Sequence, residues 1–158
     1  MAFSLVLVFS IVVFAYGMIR DRPRVADTMP REVWRYVISA IVYLSLAGLA
    51  GLGLGYGVEK KTYLYYFLIH GHVHLSLLGW VGMGMTGAVL YIAWLSGKNL
   101  KGPAGVANHL LMHAAMISML VGIYLQNMPL RASAGVFVIA AMGCLLFLAS
   151  ASISSRSQ

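Results

Sequence analysis

Acidic side chains are almost missing from this sequence. Asp21, Asp27, Glu32 and Glu59 are the only four in 158 residues, and charged residues of both signs make up 9%. A soluble domain carries roughly a quarter charged residues, so a water-soluble globule is excluded. No Asp, Glu or Lys falls deep inside any long apolar run. A proton pump normally needs such a relay within the membrane, so pumping is not the expected activity. Cysteine is nearly absent too: Cys144 stands alone in an apolar run, and no disulfide can form within the chain.

What is present is apolar sequence, 61% of the chain, broken by short basic connections. A run of about 20 apolar residues is long enough to span a bilayer as a helix. The first run is Ala2 to Ile19. Arginines follow it and none precede it, the reverse of a cleaved signal peptide, so an uncleaved helix is expected. Residues 20–35, with Arg20, Arg22, Arg24, Arg31 and Arg35, read as a polar connection. The second run, about Val37 to Gly57, carries Gly48, Gly51, Gly53 and Gly55, small residues that suit a close helix contact. The third runs from about Tyr63 to Leu95, the fourth from about Val106 to Leu125 and the fifth from about Ala132 to Ala151. The fold class expected is therefore all-α, an integral membrane bundle of four helices over 33–151 plus an N-terminal transmembrane helix within 1–32, ending in a disordered tail over 152–158.

The 11 Lys and Arg could suggest nucleic acid as a partner, but they sit in short loops and read as topology signals. Nucleic acid is not expected. The loops at 20–35 and 97–105 and the C-terminus hold eight of these cations, against Lys60, Lys61 and Arg131 on the other side. The positive-inside rule then places the N-terminus outside and the C-terminus in the cytoplasm, in contact with membrane lipid on every flank.

Chemistry concentrates in Ile69-His70-Gly71-His72-Val73-His74-Leu75, which holds three of the five histidines. On a helix His72 and His74 lie about 200° apart, while His70 and His74 share a face. One helix can thus present an imidazole to a separate partner on each side. Neutral imidazole is a common ligand of heme iron and of copper, and ionisable groups within a span point to function. Metal or heme ligation is expected of His72 and His74. His70, nearest the water, is either a bystander or a further ligand. His109 and His113 are an i, i+4 pair, the spacing of a two-point metal site, yet a structural role near the inner interface is the expectation for them. A depth offset on the order of 10 Å argues against one heme bridging His74 and His113 within a chain.

Gly71-His72-Val73-His74, followed by Leu77-Leu78-Gly79-Trp80-Val81 and Gly87-Ala88-Val89-Leu90-Tyr91, resembles the tenth transmembrane helix of heme-copper oxidase subunit I. The cbb-type oxidases and nitric oxide reductases are the nearest variants. Ala107-Asn108-His109-Leu110-Leu111 is similar, more weakly, to the family's eleventh helix. The resemblance implies that His72 binds an active-site heme and His74 a low-spin heme, with one or two heme b as cofactor in a prokaryotic plasma membrane. It also implies a homo-oligomer, dimer or trimer, or a larger respiratory complex that supplies a second axial ligand. The sequence has no second histidine pair for a copper centre and no cross-linked tyrosine motif, so the complete oxygen-reducing site is not present here.

The function expected is electron transfer or diatomic-gas binding, as an oxidoreductase component if it is an enzyme at all. The alternatives are a non-catalytic accessory subunit packed through glycine faces, and a copper-handling protein that uses His70, His72, His74 and methionines.

Overall fold

The structure, a computed structural model, describes residues 2–25, 29–55, 62–97, 100 and 102–150. Every element among them is helical, as expected: α1 (Ala2–Val25), α2 (Arg31–Gly55), α3 (Tyr63–Leu95), α4 (Pro103–Tyr124) and α5 (Met128–Ser150). Helices α2 to α5 are each long and apolar enough to cross a membrane. The tail at 152–158 and the charged turn with Glu59, Lys60 and Lys61 lie outside the described residues.

Helix boundaries differ from the hydropathy runs. Residues 20–35 are not one connection: α1 continues to Val25 and α2 already begins at Arg31. Arginine is a good helix former, so polarity ended the apolar run without ending the helix. Pro30 has no N–H to strand ahead of α2, and its carbonyl takes the Trp34 N–H at 3.0 Å. Glu32 lies in the first turn, where the helix dipole favours an anion. Similarly α4 begins at Pro103 and α5 at Met128, with prolines in their first turns, where a missing N–H costs nothing.

The other ends follow capping rules. The Thr62 hydroxyl accepts the Tyr65 N–H at 3.1 Å to start α3. Gly97, at φ 80°, closes it in the left-handed conformation that glycine adopts without strain. Between α4 and α5 the chain turns through Gln126 at φ 52°, and the Asn127 side chain accepts the Leu130 N–H at 3.0 Å. The resulting α4–α5 pair is in extensive contact, joined by Ser118 and Ser133 hydroxyls 2.6 Å apart.

The core lies where α2, α3 and α4 meet. Val33, Tyr36, Ala40, Tyr43 and Ala47 are the buried face of α2, spaced three and four residues apart in the manner of a coiled-coil seam. Against it lie Leu75, Gly79, Met83 and Gly87 of α3, each four residues from the next. Such a step drifts roughly 40° on a regular α-helix. Here α3 widens into a π-helical stretch at Leu75–Gly82, and the extra residue per turn offsets that drift. A Cβ on Gly79 would lie 2.6 Å from Tyr43, and one on Gly87 3.1 Å from Tyr36. The two tyrosines of α2 therefore seat on glycines of α3. The π stretch begins directly after His74.

Candidate functional site

Near the start of α3 the three histidines diverge as helical geometry requires. His72 turns toward α2, its Nδ1 2.8 Å from the Ala47 carbonyl. Gly51 makes room for it: a Cβ there would come within 3.2 Å of the imidazole. His74 points away from α2, its Nδ1 2.8 Å from the His70 carbonyl in the preceding turn. A carbonyl only accepts, so both Nδ1 atoms carry a proton, and in the neutral form of each ring Nε2 is left with the lone pair. No described residue hydrogen-bonds either Nε2. An imidazole anchored through Nδ1–H to a backbone carbonyl is the usual form of a metal-ligating histidine.

His70 has a different position. Its ring lies against Tyr66 at a centroid distance of 4.2 Å, and Arg131 of α5 donates to the Tyr66 hydroxyl at 3.3 Å. The His70 and His74 rings share a face, 6.5 Å apart. His70 thus supports His74 through its carbonyl, while its own ring packs on an aromatic. The three rings do not converge on a point.

A second polar group lies between α2 and α4, with Ser39 and Tyr43 buried and His109 and His113 half-buried. Ser39 Oγ is 3.0 Å from His109 Nε2 and 3.1 Å from His113 Nε2. The two Nε2 atoms are 3.3 Å apart, and the Tyr43 hydroxyl is 2.6 Å from His113 Nδ1. One turn along, Tyr36 donates to Asn108 Oδ1 at 2.6 Å, and Asn108 Nδ2 donates to the Ala141 carbonyl at 2.6 Å. Asn108 is wholly buried, so these bonds satisfy what would otherwise be a costly amide in an apolar interior. A cavity of about 140 Å³ reaches His109 between Glu32, Arg35, Tyr36, Gly102 and Gly105.

The sequence reading named His109 and His113, and Asn108 only as part of the motif around His109, but not Tyr36, Ser39 or Tyr43. The missed signal was a matched pair of spacings: Ser39 and Tyr43 are i, i+4 on α2, as His109 and His113 are on α4. Tyr43 seats on Gly79, five residues beyond His74, which is on the order of 7 Å along α3. Among the described residues no three His, Cys, Asp or Glu side chains gather as a metal-binding group. Comparisons with protein-family models, with curated proteins and with solved structures find no match.

Proposed function

We propose that this protein is a membrane-embedded heme b protein for electron transfer or diatomic-gas binding. His74 is the axial ligand of a low-spin heme, and His72 faces a second heme or an open site. The observation that carries this reading is the pair of imidazoles on opposite sides of α3, each fixed through Nδ1 and presenting an Nε2 lone pair. The donor set fits heme iron, which takes neutral imidazole. The resemblance of this helix to the His-x-His helix of heme-copper oxidases supports the same assignment. A heme held there would supply a one-electron couple or a gas-binding iron. The chain's own residues orient the two rings through the Ala47 and His70 carbonyls.

His74 alone gives one axial ligand. A second comes from an equivalent helix in another copy of this chain, or from a different subunit, and in either case through the bilayer-facing side. Outward residues there include Val73, Leu77 and Val81 of α3. Copper handling by His70, His72 and His74 is the weaker reading, because His72 turns to α2 while the other two share the opposite face.

Protein purified in detergent from heme-replete cells tests the proposal by absorption and by heme counted per chain, with mass measured on the same sample. A Soret band with one or two hemes per chain, in a homo-oligomer or larger complex, is expected. Absence of heme both as purified and after hemin titration refutes it.

A further inference from the structure

We propose that His109 and His113, with Ser39, form a binding site for a single copper or zinc ion, separate from the histidines of α3. Two imidazoles that bind one tetrahedral ion at about 2.0–2.1 Å must hold their nitrogens about 3.3–3.4 Å apart. The His109 and His113 Nε2 atoms stand 3.3 Å apart. They converge from one helix face, at the i, i+4 spacing that places two ligands on one ion.

Ser39 Oγ lies 3.0 and 3.1 Å from the same two atoms, so the three groups form one hydrogen-bonded cluster whose contacts an ion would replace. Ser39 supplies either a third oxygen ligand or the partner of a bound water. The Tyr43 hydroxyl is 2.6 Å from His113 Nδ1; by accepting the Nδ1–H of an ion-bound ring it would serve as the outer partner that turns the Nε2 lone pair inward. Imidazole and oxygen together suit copper and zinc. The cavity of about 140 Å³ that ends on His109 has room for several waters and gives an ion a path to that ring, with Glu32 and Arg35 at its lining balancing in charge. The site's rigidity comes from α2, because Tyr43 cannot turn away without leaving its seat on Gly79.

Cobalt(II) is the probe, since its visible absorption is strong in four-coordinate sites and weak in six-coordinate ones. Untagged full-length protein in detergent, stripped of metal, should bind one cobalt per chain with the strong spectrum, and zinc should displace it. His109→Gln and His113→Gln should each abolish that spectrum while elution volume and helical content stay unchanged. No binding, a six-coordinate spectrum, or equal binding by wild type and both variants overturns the proposal. If the glutamine variants do not fold, Tyr43→Phe decides: affinity should fall about 10- to 100-fold as for a lost outer partner, and unchanged affinity overturns it. Heme content is read separately on the same samples, so failure of this site and failure of the heme assignment are distinguishable.

Discussion

Replacing Gly79 with alanine puts a methyl group where α2 and the π stretch touch most closely. The new Cβ would lie 2.6 Å from both Cβ and Cγ of Tyr43. Carbon atoms rest about 3.5–4.0 Å apart, so roughly 1 Å of separation must open. Tyr43 Cβ is fixed to the α2 backbone and cannot rotate out of the way, so the helices must part. Overpacking of this kind costs about 1–3 kcal/mol. The better helix propensity of alanine returns at most about 1 kcal/mol. A net loss of up to about 2 kcal/mol is therefore expected, together with a stretched Tyr43–His113 hydrogen bond. Gly84 is the control, because a Cβ there meets nothing within 4 Å. Denaturant or thermal unfolding of the full chain in detergent, followed by helical signal, should rank Gly79→Ala below wild type and Gly84→Ala at or above it. Equal stability of the two alanine variants would refute the packing of Tyr43 on the π stretch.

Asn108→Leu should cost about 1–3 kcal/mol in the same assay, since it strips a partner from the Tyr36 hydroxyl and from the Ala141 carbonyl; no loss would show that these bonds do not hold α4 in place. Lys60→Cys and Asn99→Cys, in a Cys144→Ser background, test orientation in intact cells: position 60 should label from outside and position 99 should not, and labelling of 99 from outside would reverse the topology. Mass measured in detergent should exceed that of one chain, and a monomer holding a six-coordinate heme would place both ligands in a single chain.

Much of the bundle was legible because membrane solvation leaves a strong imprint on sequence. The runs of α2 to α5 had to be apolar outside as well as inside, and their lengths followed. The ends were less legible: Arg20 broke the hydropathy run while the backbone stayed helical to Val25, since propensity and polarity are different signals. The opposite facing of His72 and His74 needed only the helical repeat. The partnership of Ser39 and Tyr43 with His109 and His113 needed a tertiary fact, that α2 and α4 face each other across one interior. The π stretch was hidden for a related reason. It is set by how Leu75, Gly79 and Met83 line up on the tyrosines of α2, and no residue in it demands a widened turn by itself. Gly51 shows the limit of composition: on the sequence it was one of four glycines on a packing face, and in the fold it makes room for an imidazole.

The central claim is that α3 offers two separately oriented heme ligands, and paired single variants test it most directly. Reduced and oxidised absorption spectra of wild type, His72→Ala and His74→Ala, purified identically in detergent, are the measurement. The account predicts that His74→Ala loses the six-coordinate low-spin spectrum while His72→Ala largely keeps it. A wild-type protein without heme, or two variants whose spectra match wild type, would contradict it.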